Sequence, residues 1–257
     1  MVAADLHTHT TNSDGELTLE SLPDAAHRAG VDAVAITDHD RIHPELDAPL
    51  TEHDGVTVIH GIELRVEVGE FRVDLLGYGV EPTDELRSLV DGLQTNRIER
   101  GRAIVELVES YTGVELEVEI SEGIGRPHIA QAIDESEADY NYGSAFDELI
   151  GDGRPCFVSR DIPSFERGRD ILRDACSVVG LAHPFRYPDP EAALNLVETL
   201  DAVERYYPYG RDVDDSYLAE LVTDHDLLVT GGSDAHNEKL GLAGLDREEF
   251  EQFADHL

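Results

Sequence analysis

The stretch Asp5-Leu6-His7-Thr8-His9-Thr10 (DLHTHT) follows the apolar run Val2-Ala3-Ala4 and sets two histidines two positions apart. In a strand, side chains at i and i+2 leave the same face, so both imidazoles can reach one metal ion from the strand's end. One such pair is weak evidence; its recurrence decides the reading. SDGEL brings Asp14, ITDHD brings Asp38, His39 and Asp40, HGIEL brings Glu63, LAHPF brings His183, and GGSDAH brings Asp234 and His236, nearly all directly after apolar stretches. Segments 2–6, 31–37, 56–60, 71–78, 178–182, 202–205 and 227–230 read as strands. Helical patterns cover 19–29, with Thr18 as the expected N-cap and Gly30 just past the end, and also 164–176 and 191–200. Alternating strands and helices imply a parallel β/α barrel or sheet, with the candidate ligands at the strand ends where such folds build their sites.

Imidazole and carboxylate donors together suit Zn, Mn or Fe. A structural zinc site more often shows closely spaced thiolates, and Cys156 and Cys176 lie outside every motif. Ligands drawn from many strands leave positions open for water and substrate, so a catalytic centre is favoured. Between about residues 82 and 165 the alternation breaks: Leu86, Leu89, Val90 and Leu93, then Ile104, Val105 and Val108, open a helical pattern that reads as an insertion within one domain spanning 1–257. Its role is either to cover apolar surface or to close over substrate.

The chain has 257 residues, enough for one well-buried domain. Its 56 acidic residues against 19 basic ones give a formal charge of −37, and Lys239 is the only lysine. With ordinary apolar content and regular patterning, this points to a folded protein with a carboxylate surface suited to multimolar salt, not to an acidic disordered chain. At roughly 1 M salt the screening length falls to about 3 Å, so local arginines and metals must capture a phosphate. High salt abolishes the counterion release that drives binding of long duplexes, which favours a small phosphorylated substrate. There is no apolar run approaching the roughly 18 residues of a membrane span, no basic amphipathic stretch and no signal peptide, so no membrane partner is expected and the cytoplasm is the expected location. Two cysteines make no disulfide framework. The oligomeric state is not legible.

The ordered set HTHT, SDG, TDHD, GIE, AHP and SDAH, running from residue 5 to 236, resembles the PHP (polymerase and histidinol phosphatase) family of metal-dependent phosphoesterases. Within it, RPHIAQAI and AFDELIGDGRPCFV are similar to stand-alone enzymes that act on 3′,5′-nucleotide bisphosphates and short single-stranded RNA 5′ ends. The resemblance implies a distorted (β/α)7 TIM-like barrel with an inserted helical subdomain. It implies two or three divalent ions: His7, His9, Glu63 and Asp234 on the first, Glu63 bridging to a second with His183, and Asp14, His39 and His236 on the third. The family usually has histidine eleven positions after this glutamate; here VDLLGY puts Asp74 there. Asp74 is expected to serve as a ligand, the alternative being a weak or absent second metal.

Arg126 and His128 in GRPHIA match positions that contact substrate phosphate in the resembling subgroup, and Arg154 in GDGRPCF is a further candidate. A guanidinium gives two donors to phosphate oxygens and a protonated imidazole a third. His128 is alternatively a metal ligand. Asp38 and Asp40 are expected to support His39 from behind, Tyr140 and Tyr142 to pack within the insertion or stack on a base, and His27, His43, His53, His60, His225 and His256 to play no part. The implied reaction is in-line attack on phosphorus by a metal-activated hydroxide, with Arg126 and Asp234 among the catalytic groups and His128 or a water protonating the leaving oxygen. Three rivals stay open. An amidohydrolase also begins with His-x-His, but often bridges its metals with a lysine, and Lys239 follows the last motif. A non-catalytic PHP module would lose several ligands. A histidinol-phosphate-type phosphatase fits RPH and AFDELIG less well.

Overall fold

The computed structural model describes all 257 residues. They divide into two compact units, residues 1–88 with 163–257, and residues 89–162.

The first unit is built on strands β1 (Ala4–Thr8), β2 (Ala33–Ile36), β3 (Leu50–His53), β4 (Val56–Val68), β5 (Phe71–Val80), β6 (Cys176–Leu181), β7 (Ala202–Tyr206) and β8 (Leu228–Gly231). Seven of them follow the order β1-β2-β4-β5-β6-β7-β8, and β3 flanks β4. The sheet nearly closes, because Thr8 at the end of β1 bridges in parallel to Ala235, just beyond β8. Alternation along β1 turns Ala4 and Leu6 into a core with Ala35, Ile59, Leu76 and Phe253, which leaves Asp5 and His7 on the opposite face.

The sheet is mixed, which corrects the expectation of an all-parallel arrangement. β4 pairs antiparallel with β5, and β5 antiparallel with β6, while β1–β2, β2–β4, β6–β7 and β7–β8 are parallel. The physical cause is the Gly69-Glu70 connection. Two residues can only reverse the chain, since a parallel crossover takes a dozen or more. Gly69, at φ 58°, supplies the left-handed backbone of the turn. β3 was not expected from sequence; it is short, polar and half-exposed.

The first helix begins at Leu22, three residues later than expected, with Pro23 in its first turn. Thr18 instead accepts from the Ser21 backbone N–H in the preceding turn. Gly30 ends the helix at φ 72°, as the sequence led one to expect. The helix expected over 191–200 is broken into Pro190–Leu194 and a single tight turn, Val197–Thr199. The remaining helices lying wholly in this unit are Phe165–Ala175, capped by the Ser164 hydroxyl, the single tight turn Pro184–Arg186, Ser216–Asp224 and Arg247–Ala254.

The second unit begins inside the helix Asp84–Thr112. It adds the helix Arg126–Glu135 and a wide-turned helical segment, Ala145–Ile150. Its own core joins Ile104, Val108, Ile129, Ile133, Leu149 and Ile150. No helix in the chain is long and apolar enough to cross a membrane.

Candidate metal centre

The nine residues singled out as ligands converge at one end of the sheet. They form four overlapping groups, each small enough to hold an ion: His9 with Asp14, His39 and His236; His7 with His9 and Glu63; His7 with His183 and Asp234; and Glu63 with Asp74 and His183. Glu63 is at the centre. Its Oε2 lies 2.6 Å from His39 Nδ1, 3.4 Å from His7 Nε2 and 3.5 Å from His9 Nε2, and its Oε1 lies 3.0 Å from His183 Nε2. Sharing one carboxylate between two groups exploits its two oxygens, since a neutral imidazole offers a single lone pair. His9 reaches further than the resemblance implied, because it also stands with Asp14, His39 and His236.

The donor set fits divalent ions. His7 Nε2 is buried and makes no hydrogen bond, and it faces Glu63 Oε2 at 3.4 Å across the cluster. Such groups are costly to bury unless something else satisfies them, and a cation between them does so. Each ligand is also held from behind. His7 Nδ1 lies 3.0 Å from Glu204 Oε1, and Glu204 Oε2 accepts from the His183 backbone N–H at 2.7 Å. Asp38 accepts from the Thr10 backbone and hydroxyl, from Asn12 and from Ser13, and so fixes the loop that carries Asp14. Asp40 accepts from the Arg65 backbone N–H. Asp5 accepts from the Ser233 backbone and hydroxyl and from Gly241, which ties GGSDAH to the first strand.

Close backbone approach places the outer motifs. A Cβ on Gly15 would lie 2.2 Å from the His9 carbonyl, and one on Gly232 would lie 2.3 Å from the His7 nitrogen. His183 (φ 27°) and Asp234 (φ 49°) hold left-handed backbone without being glycine. Strain of this kind persists where the surrounding structure over-determines it, as at functional sites.

The charges are tightly linked. Burial alone would raise the Glu63 carboxyl, but His39 and His7 outweigh it and hold it well below the usual carboxylate range. Burial opposes charge on His39 too; Glu63 and Asp14 overcome it and bring His39 up to about 9. His9 has burial and then the His39 charge against it, and is pushed down to about 4. Despite its burial, Asp234 is held below the usual range by the His9 hydrogen bond and by His7.

Three groups that sequence reasoning missed, Tyr207, Arg186 and Glu204, complete the site. Asp234 turns Oδ1 towards His9, at 3.1 Å, and its Oδ2 accepts from the Tyr207 hydroxyl at 2.9 Å and from Arg186 at 2.8 Å. Arg186 follows the AHP motif by two positions and is half-exposed, a cation placed at the ligand cluster. Glu204 was legible in principle, since AVERY sets a charged residue inside a buried strand segment.

Arg126, His128 and Arg154 belong to the second unit. Arg126 opens its helix, pairs with Asp152 at 2.6 Å and lies over the Phe146 and Phe157 rings. His128 Nδ1 accepts from the Gly125 backbone N–H, which caps the same helix. The Arg154 backbone N–H closes a turn on Gly151. Tyr140 packs on the core of this unit, and Tyr142, more exposed, lies against Phe146.

Comparison with known proteins decides the family. The PHP domain model matches residues 5–149. The chain belongs to the PHP domain family. Among PHP relatives, it is 33% identical over 255 residues to phosphoribosyl 1,2-cyclic phosphate 1,2-diphosphodiesterase of Eggerthella lenta, covering 91% of this chain and 94% of that protein. It is 27% identical to 3′,5′-nucleoside bisphosphate phosphatase of Chromobacterium violaceum, over 92% of this chain and 88% of the relative. Among solved structures, a protein of Bifidobacterium adolescentis described as a metal-dependent phosphoesterase superposes with a TM-score of 0.78 at 23% identity, over 98% of this chain and 96% of that one, which supports the same PHP fold.

Proposed function

We propose that this protein is a metal-dependent phosphoesterase acting on a small phosphorylated substrate, most simply a nucleotide such as a 3′,5′-bisphosphate or the 5′ end of a short single-stranded RNA. The observation that carries the proposal is the sharing of Glu63 between ligand groups that converge on one open end of the sheet. Eight residues would hold the ions: His7, His9, Asp14, His39, Glu63, His183, Asp234 and His236. Asp74 is the ninth candidate, and its carboxylate already carries Arg65. Two or three ions of Mn, Fe or Zn suit this donor set. When bound, such ions supply Lewis acidity, which lowers the pKa of water and offsets phosphate charge.

The chain's own residues do the rest. Glu204 aims His7, and Tyr207 with Arg186 fixes the outer oxygen of Asp234. Arg186 offers a guanidinium to a phosphate oxygen at the mouth of the site. Arg126, His128 and Arg154 are assigned to the substrate phosphate, with His128 giving a proton to the leaving oxygen. The two relatives named above act on phosphorylated ribose compounds by their names, and we carry that shared chemistry to this chain.

The test is phosphate release in molar KCl with added Mn, comparing 3′,5′-adenosine bisphosphate, a phosphoribosyl 1,2-cyclic phosphate, AMP, a short 5′-phosphorylated RNA and histidinol phosphate. Turnover led by the bisphosphate or the RNA end supports the nucleotide reading, and turnover led by the cyclic phosphate moves the substrate to a sugar phosphate. Asp234→Asn, matched in shape and lacking the charge, should lose at least 100-fold in release. Full activity in that variant, or metal-loaded protein inert on the whole panel, overturns the proposal.

A further inference from the structure

The last ligand group, Glu63, Asp74 and His183, differs from the others in that an arginine engages both oxygens of one of its carboxylates. Arg65 and Asp74 are direct partners across the antiparallel β4–β5 ladder. Side chains opposite one another in such a ladder share a face, and Glu63, two residues before Arg65, shares it as well. The two-residue turn at Gly69 sets this register, so the pairing is imposed by the hairpin. Arg65 Nε lies 2.7 Å from Asp74 Oδ1, and Nη2 lies 2.7 Å from Oδ2, a two-pronged ion pair. Asp74 is buried, at 2% exposure, whereas Arg65 keeps 43%. His183 Nε2 is 3.0 Å from Glu63 but 3.8 Å from Asp74.

Both Asp74 oxygens are therefore occupied by donors, and its negative charge is already offset. An ion drawn to Asp74 would have to displace a guanidinium fork or sit beside a like charge that has low-dielectric walls around it. What remains for that ion is His183 and a share of Glu63, two protein donors where the other groups have three or four. We propose that the Arg65 guanidinium takes the place of a third metal ion: the chain binds two divalent ions tightly, and Arg65, clamped by Asp74, is the fixed cation on the β4–β5 side of Glu63, its exposed edge facing the phosphate. This rests on the metal-dependent reading above. It also gives a physical reason for an aspartate where the resembling enzymes carry histidine, because an imidazole at 74 would not hold the guanidinium.

The experiment counts ions. Full-length protein in molar KCl is equilibrated with Mn at a series of free concentrations and its metal content measured per chain, alongside Arg65→Ser and the double variant Arg65→Ser with Asp74→His. The wild type should plateau at two ions, with any third bound at least tenfold more weakly, and the double variant should reach three. Orthophosphate binding supplies a second readout: at Mn levels that load only two sites, Arg65→Ser should bind orthophosphate about tenfold more weakly than wild type, and the double variant should regain that affinity as its third ion loads. Three equally tight ions in the wild type overturn the inference and leave the hydrolase reading standing. So does a double variant that, shown folded by its circular dichroism, still stops at two, or orthophosphate affinity indifferent to Arg65. A wild type that binds no ion overturns the hydrolase reading itself and the inference with it.

Discussion

Glu204 reaches no open face of the ligand cluster, yet two ligand segments depend on it, His7 through its ring and His183 through its backbone N–H. A carboxylate on the far nitrogen of a metal-binding imidazole fixes the tautomer and turns the free lone pair towards the ion. Glu204→Gln should therefore lower Mn affinity by about 10- to 100-fold while the far-ultraviolet spectrum of the protein stays unchanged. Mn titration of the two proteins checks this, and equal affinity would mean that packing alone orients His7. His39 carries a second prediction. Its pKa, raised to about 9 in the metal-free protein, lies above the ordinary value of roughly 6.5, so its charge stabilises the metal-free fold fully below about pH 6.5, and that contribution is gone above about 9. Metal binding needs the neutral ring, so loading between those limits must expel the proton. Mn affinity should climb with pH through this window and level off beyond about 9, and calorimetry in buffers of different ionisation enthalpy should show proton release at pH 7.5. Affinity flat with pH over 6.5–9 would contradict it. At this scale the ligands themselves were legible, because His, Asp and Glu after apolar runs have few structural uses in such numbers. Arg186 and Tyr207 were not, and Glu204 showed only as a charge inside a buried strand segment, since a side chain that aims another from a neighbouring element leaves no spacing signal.

The strands show where sequence patterns run out. The apolar runs at 56–60 and 71–78 were visible as strands, but an apolar run reads the same whether its neighbour is parallel or antiparallel, and only the short Gly69 turn distinguishes them. The helix pattern over 191–200 was misleading for a different reason: the chain leaves the helix at Asn195, whose side chain accepts from the Tyr217 hydroxyl at 2.8 Å, a long-range contact that no local propensity encodes. The seam between β1 and the end of β8 was equally invisible, although GGSDAH contains its cause. At Gly232 any Cβ would fall 2.3 Å from the His7 nitrogen and 2.4 Å from its Cβ, both on a buried strand that cannot yield. Gly232→Ala should destabilise the protein by about 1–3 kcal/mol and also weaken Mn binding, since relief comes only by moving His7. The control is Gly92→Ala, a helical glycine with open space around it, which should be neutral or stabilising by up to about 1 kcal/mol. Thermal melts with and without chelator separate the two effects; a Gly232→Ala protein that melts with the wild type would mean that the seam is looser than its geometry.

Over the whole molecule, charge sets the conditions under which the centre works. A formal −37 on 257 residues repels itself, and the arginine pairs found here, Arg28 with Glu238, Arg173 with Asp201 and Arg205 with Asp215, offset only part of it. Exposed pairs of this kind contribute little each, roughly 0–1 kcal/mol. The unscreened remainder favours expansion, and at an ionic strength of about 0.01 M it acts over some 30 Å, which spans most of a domain this size, against about 3 Å at 1 M. We propose that the fold is adapted to multimolar salt, and the consequence is measurable in the intact chain. The melting temperature should rise steeply between about 0.01 M and 1 M KCl, by on the order of 10 °C, because each kcal/mol recovered shifts a domain of this length by roughly 2–4 °C. Sucrose at matched osmolality isolates the cause: it strengthens burial without screening charge, so it should recover much less than KCl does. The same field bears on the substrate, since a phosphate dianion is repelled until salt screens the surface, and KM should fall with KCl over the range in which the melting temperature rises. A melting temperature indifferent to KCl, or raised equally by sucrose, would mean that the carboxylate surface is tolerated and not required.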